Sequence, residues 1–167
     1  LTFVGGGTDS SISGIGTALR QLAEHPGQWA LARQNPGLMK NALDEALRFD
    51  APFQIVYRTT VGRTELSGVQ LDGGVKIGAF LGAANRDPRQ WDRPDTFDLR
   101  RQTAGVHVAF GAGSHICIGQ MIARMESEAL LTAMARKVRT LDMAGPASYR
   151  PMNQLRTLDR LPLRVTA

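Results

Sequence analysis

The sequence predicts a mainly α-helical fold with a small β-sheet, an α+β chain in which helices supply most of the core. Three observations carry this. Apolar residues recur at spacings of three and four in the first fifty residues and again after residue 117, β-branched runs fill the stretch from Val56 to Phe80, and one cysteine lies in a glycine-rich segment between them. At 167 residues, 43% hydrophobic and 21% charged, the chain is expected to form one globular unit with a real core.

The first helix is expected from about Ser10 to Ala23, with Ile12, Ile15, Leu19 and Leu22 marking one apolar face. "EHPG" at 24 to 27 stops it. A short helix follows from Gln28 to Gln34, ahead of Pro36, and another from Gly37 to Phe49, until "DAP" at 50 to 52 breaks it. The opening "LTFVGGGTDSSISGIGTALRQLA" has neither an initiating methionine nor a charged leader. It reads as a helix joined in mid-course, so an upstream part is expected to be missing.

Beyond Val56, "IVYRTTV", "TELSGVQL" and "VKIGAFL" read as strands of a small sheet built from hairpins. Residues 84 to 105 show no sustained period and many Asp, Arg and Pro residues, which predicts a long ordered loop serving a site. After the cysteine, Ile118, Met121, Ile122, Met125 and Ala129 form one stripe of a helix about twenty residues long. The sheet is expected to return in "LPLRVT" at 161 to 166.

The formal net charge is +5, but the arginines are dispersed, which points to a solvated basic surface and against a nucleic-acid partner. The apolar run "VKIGAFLGAA" falls well short of the roughly 20 residues a membrane span needs, so no membrane partner is expected. A single cysteine makes no intramolecular disulfide, and a cytoplasmic setting is the default expectation.

That cysteine, Cys117, stands in "FGAGSHICIG" at 110 to 119. A cysteine just ahead of a helix lies near unpaired backbone N–H groups and the positive end of the helix dipole, which favours a thiolate and hence metal ligation. Gly111, Gly113 and Gly119 permit unusual dihedrals and close approach of something flat, and Phe110 can stack or shield beside it. A zinc site is disfavoured, because only His25, His107 and His115 are available and none has a paired spacing. The residues alone leave open an inert buried cysteine and a nucleophilic Cys117–His115 pair.

The ten residues match, at every fixed position, the pattern F-G-x-G-x-H/R-x-C-x-G, and in this the chain resembles the cytochrome P450 family, whose haem iron is held by a cysteine thiolate. Further motifs agree with the resemblance in order along the chain. "EALR" at 45 to 48 resembles the E-x-x-R helix, in which Glu45 and Arg48 would form a structural clamp behind the haem; without the family they would read as a solvated surface pair. "GGTDSS" at 6 to 11 resembles the oxygen-binding helix, with Gly6 allowing close approach, Asp9 relaying protons and Ser10 in place of the usual threonine. Arg58, His107 and His115 resemble the donors that bind haem propionates. "AANRDP" at 83 to 88 and "RPDTFD" at 93 to 98 resemble the meander ahead of the cysteine loop. Thr96 departs from the family there, since threonine cannot extend the Glu45–Arg48 ion pair.

The resemblance implies the C-terminal portion of the P450 fold, with the N-terminal half absent, and a haem-thiolate monooxygenase. Such an enzyme uses haem b, O2, electrons from a ferredoxin-type donor and a small organic substrate. The portion alone is expected to be inactive; the alternatives are a non-catalytic haem-binding module and an empty folded remnant that forms a homo-oligomer through its uncovered helix face.

Overall fold

The computed structural model describes residues 2–167, and side chains from residue 6 onward. Its elements in chain order are α1 (Thr2–Glu24), α2 (Pro26–Gln34), a 3₁₀ turn (Pro36–Asn41), α3 (Ala42–Phe49), strands β1 (Val56–Thr59), β2 (Thr64–Leu66), β3 (Val69–Leu71) and β4 (Lys76–Ala79), and the short α4 (Leu81–Ala84). Then come a loop crossed by two 3₁₀ turns, α5 (Gln120–Lys137), and strands β5 (Thr140–Met143), β6 (Ser148–Tyr149), β7 (Leu158–Arg160) and β8 (Leu163–Thr166). The mainly helical fold with small sheets is as expected.

Proline sets two of the helix starts. Pro26 and Pro36 occupy first-turn positions, where the missing N–H costs nothing. The stretch expected as one helix over 37–49 divides into the 3₁₀ turn and α3.

The strands do not form one sheet. Among the described residues there are four antiparallel pairs, β1 with β4, β2 with β3, β5 with β8 and β6 with β7. The β2–β3 turn takes Ser67 and Gly68 through positive φ, 51° and 82°, which matches the right-handed twist of a two-residue hairpin.

Leu22, Met39, Leu99, Leu131 and Leu141 are fully enclosed in the core, where α1, α2, α3, α5, the long loop and β5 meet. The buried face of α1 differs from the expected one. Ile12 is 61% exposed, while Ser13, Thr17 and Gln21 are buried beside Ala18 and Leu22. Hydrophobic spacing located the helix but not its inner face, because α1 lies close against α3 through small residues. A Cβ on Gly14 would stand 3.4 Å from Leu43 and 3.6 Å from Leu47. The Ser13 hydroxyl donates to the Asp9 carbonyl at 2.7 Å and lies 2.7 Å from the Thr157 hydroxyl, so its burial leaves no unpaired group.

Leu22→Ala is expected to cost about 2–5 kcal/mol in urea unfolding, whereas Ile12→Ser leaves the midpoint unchanged.

Candidate functional site

The site rests on α3, whose residues 42 to 48 are all buried. Glu45 and Arg48, three apart, share a face and pair with both side chains fully enclosed. Arg48 Nε donates to Glu45 Oε2 at 2.7 Å and one Nη2 hydrogen to Oε1 at 2.9 Å. The remaining donors go to the carbonyls of Asn85 (3.1 Å), Pro94 (2.9 Å) and Thr96 (3.1 Å), so all five guanidinium hydrogens have partners. Trp91 lies under the guanidinium, 5.4 Å from Cζ to ring centre. The solvated-pair reading of these two residues is therefore excluded by their burial.

Thr96 takes part through its backbone. Its carbonyl accepts from Arg48 and also from Arg101 at 3.1 Å. Arg101 in turn reaches Glu45 at 3.2 Å and supplies the second cation that a threonine side chain does not. The Asp98 N–H completes the carboxylate's partners at 3.0 Å. Sequence reasoning did not single out Arg101; one arginine in "LRRQ" carries no mark of reaching 56 residues back to Glu45.

The loop beyond is fastened at two further points, on Asn85 after α4 and on Asp44 of α3. Asn85 Oδ1 accepts the Val108 N–H at 2.8 Å. Asp44 Oδ1 accepts from His107 Nε2 at 3.1 Å and from Arg124 Nε of α5 at 2.9 Å. The resemblance placed His107 among the propionate donors; the structure pairs its ring with Asp44. Its side chain is fully buried, Nε2 faces Asp44, and Nδ1 accepts the Ala109 N–H at 3.1 Å. Both ring nitrogens are engaged.

Cys117 sits ahead of α5, whose N-cap is Gly119, and its thiol is half-buried. The Cys117 N–H donates to the Phe110 carbonyl at 2.9 Å, closing the loop on itself. Gly111 and Gly113 have φ of 76° and 74°, the left-handed region that favours glycine, and a Cβ on Gly113 would meet nothing within 4 Å. Gly119 approaches the sulfur, since a Cβ there would stand 3.9 Å from Sγ. His115 is exposed two residues ahead of the cysteine and, among the described residues, makes no hydrogen bond through its ring.

Arg58 on β1 lines an open apolar cleft of about 340 Å³ together with Phe80, Leu81, Val108, Gly111 and Ala112. Among the described residues its guanidinium bonds only the neighbouring Tyr57 carbonyl, at 2.8 Å. Strand β1 and the cysteine loop thus meet at one cleft, with a cation at its wall.

On α1, Ser10 Oγ donates to the Gly6 carbonyl at 2.7 Å, a helix back-bond that leaves its lone pairs available. Asp9 is exposed one residue before it, and a Cβ on Gly6 would meet nothing within 4 Å among the described residues. No group of three or more His, Cys, Asp and Glu side chains, among the described residues, could hold a bare metal ion.

The family model for cytochrome P450 matches residues 1–145. The chain belongs to the cytochrome P450 family. It is 47% identical to the cytochrome P450 CYP199A2 of Rhodopseudomonas palustris over 160 residues, 96% of this chain and 39% of that protein. It is 33% identical to the biotin biosynthesis cytochrome P450 of Bacillus subtilis, over 94% of this chain and 40% of that one. A solved structure of P450BioI in complex with hexadec-9Z-enoic acid ligated acyl carrier protein superposes with a TM-score of 0.91 at 32% identity, covering 96% of this chain and 42% of the other. The structure of CalO2 gives 0.91 at 36% identity, with 99% and 42% covered. The chain therefore spans about two fifths of the length of the curated relatives it matches.

The cofactor of the P450 family is haem, and the residues present fit it. One half-buried thiol stands at the start of a helix, two left-handed glycines lie in its loop with open space beside Gly113, and a cation lines the apolar cleft formed with that loop. The helix stripe of Ile118, Met121, Ile122 and Met125 faces solvent; α5 buries Ser127, Leu131 and Ala135 instead. No helix among the described residues is long and apolar enough to cross a membrane.

Glu45→Ala is expected to lower stability by about 3–5 kcal/mol, because it strands a buried guanidinium, while Arg89→Ala at an exposed pair leaves the urea midpoint in place. A second expectation concerns acid. The Arg100 guanidinium hydrogen-bonded to Asp98 holds that carboxyl below the usual carboxylate range. Its contribution is complete above the unfolded carboxyl's pKa of about 3.9 and is lost as pH falls towards the depressed folded value. Asp98→Asn should therefore show a shallower fall in melting temperature between about pH 5 and pH 3 than the unsubstituted chain.

Proposed function

We propose that this chain is the C-terminal, haem-binding part of a haem-thiolate monooxygenase that hydroxylates a small organic substrate with O2 and electrons from a ferredoxin-type donor. The observation that carries the reading is the half-buried Cys117 thiol ahead of α5, in a loop whose glycines keep one face open. When bound, haem b supplies O2 activation and one-electron chemistry, with the cysteine thiolate favouring O–O cleavage.

The chain's own residues divide the remaining work. Cys117 Sγ would hold the haem iron, and the Phe110 carbonyl fixes the backbone behind it. Arg58, whose guanidinium makes one hydrogen bond among the described residues, and the exposed His115 would bind the anionic propionates. Gly111, Gly113 and Gly119 give the macrocycle room. Asp9 and Ser10 would serve proton delivery: the exposed Asp9 carboxylate exchanges protons with solvent, and the Ser10 hydroxyl, once it leaves the Gly6 carbonyl, gives up its own hydrogen as its lone pair accepts another from water. Gly6 keeps the α1 surface flat beside them. The positive formal charge of +5 favours an acidic redox donor.

Water exclusion and substrate positioning demand more enclosure than the open cleft provides, so the chain alone is expected to bind haem without turning over substrate. A second reading is a folded, haem-free chain that self-associates, and the solvent-facing stripe of Ile118, Met121, Ile122 and Met125 favours it.

Haem titration followed by reduction and carbon monoxide separates the two. The first reading requires a strongly red-shifted Soret band, abolished by Cys117→Ala; a chain that binds no haem and sediments as a dimer establishes the second.

A further inference from the structure

The Phe110 ring is held on two sides by groups that share one carboxylate. His107 lies 5.4 Å from it between ring centres, and the Arg124 guanidinium carbon stands 4.8 Å over its centre. Both partners are bound to Asp44, His107 through Nε2 at 3.1 Å and Arg124 through Nε at 2.9 and 3.1 Å. Asp44 is itself buried on α3, directly before Glu45, in a helix whose residues 42 to 48 are all buried. Arg124 also bonds Gln120 Oε1 at 2.7 Å, which ties the same cluster to the first turn of α5.

The clamped residue is the one whose carbonyl accepts the Cys117 N–H at 2.9 Å. Ring and carbonyl belong to one residue, so a ring held by its neighbours narrows the backbone positions open to that carbonyl and to the Cys117 amide bonded to it. Neither the haem-thiolate reading nor the buried Glu45–Arg48 pair accounts for a second carboxylate on α3 with two long-range cationic or imidazole partners, 63 and 80 residues away.

We propose that Asp44 is a positioning residue for the Cys117 thiol: through His107 and Arg124 it clamps the Phe110 ring and thereby holds the cysteine loop in its ligating shape before haem arrives. This rests on the haem-thiolate reading above. The order of causes is carboxylate, then the two side chains, then the ring, then the carbonyl, then the Cys117 amide. A loop set in this way binds a ligand without ordering itself first, and so with a smaller entropic loss.

The test reads the haem-free chain first. Amide hydrogen exchange is followed at Cys117 and, for comparison, at Val138, whose N–H bonds the Met134 carbonyl at the far end of α5. Asp44→Asn is expected to speed Cys117 exchange about tenfold or more and to leave Val138 within twofold. Arg124→Gln, at a partly exposed position that leaves the Asp44–His107 bond intact, serves if the first variant does not fold, and should give a smaller effect in the same direction. Glu126→Gln, an exposed neighbour, makes the same charge change as Asp44→Asn and should alter neither amide.

With haem added, the Asp44 and Arg124 variants should show a reduced share of the red-shifted carbon monoxide band relative to the unsubstituted chain. Unchanged Cys117 exchange in the folded variants, or equal acceleration at Val138, overturns the clamp whatever haem does. A chain that shows the exchange effect but never binds haem overturns the haem-thiolate reading, and with it the role assigned to the clamp.

Discussion

The fold depends on an arginine and a glutamate placed where neither can reach water. Moving the Glu45 carboxylate and the Arg48 guanidinium into the interior costs several kcal/mol per ion, and their attraction offsets this only if every other donor and acceptor is satisfied as well. The structure meets that condition with backbone. Three carbonyls, from Asn85, Pro94 and Thr96, accept the hydrogens that Glu45 leaves over. A loop of more than twenty residues between α4 and the cysteine segment is therefore organised around α3, although it contains little regular structure of its own. Because the partners are carbonyls, the identity of the side chain at 96 matters little to Arg48, and Arg101 supplies the cation from another position.

From this anchor the loop reaches the cysteine by short steps. Asn85 offers its carbonyl to Arg48 and its side-chain oxygen to the Val108 N–H, so one buried residue joins the ion pair to the segment before Phe110. Phe110 then closes on Cys117. A reactive group on a loop needs a rigid support, and here α3 supplies it while the glycines keep the presenting face bare. The cysteine loop combines precise backbone placement with an open surface.

The exposed side of α5 has a corresponding explanation. Its inner face is narrow, with Ser127, Leu131 and Ala135 turned to the core and Arg124 turned to Asp44. The larger apolar residues Met121, Ile122 and Met125 are left outward. A stripe of that kind is more than a scatter of single surface hydrophobics and suits a surface that further protein covers. The chain spans only about two fifths of its curated relatives' length.

Local patterns in the sequence located most of the helices and the strands of 56–80 and 163–166, because spacing and punctuation by Gly and Pro act within a few residues, but gave no sign of β5, β6, β7 or the start of α1 at Thr2. They also determined the cysteine segment and the E-x-x-R pair, whose members lie within one turn or one loop. They did not determine which face of α1 or α5 is inward. Ile12 and Met121 have the same apolar character as Leu22 and Leu131, and only the neighbour that packs against a helix decides which of them is covered. The same holds for His107: near the cysteine in sequence, it is claimed by Asp44 from 63 residues away. Tertiary structure alone brought Asp44, Arg101 and Arg124 to the site. A charged side chain's partner is set by the path of the whole chain, and a buried carboxylate takes whichever cations that path brings within reach.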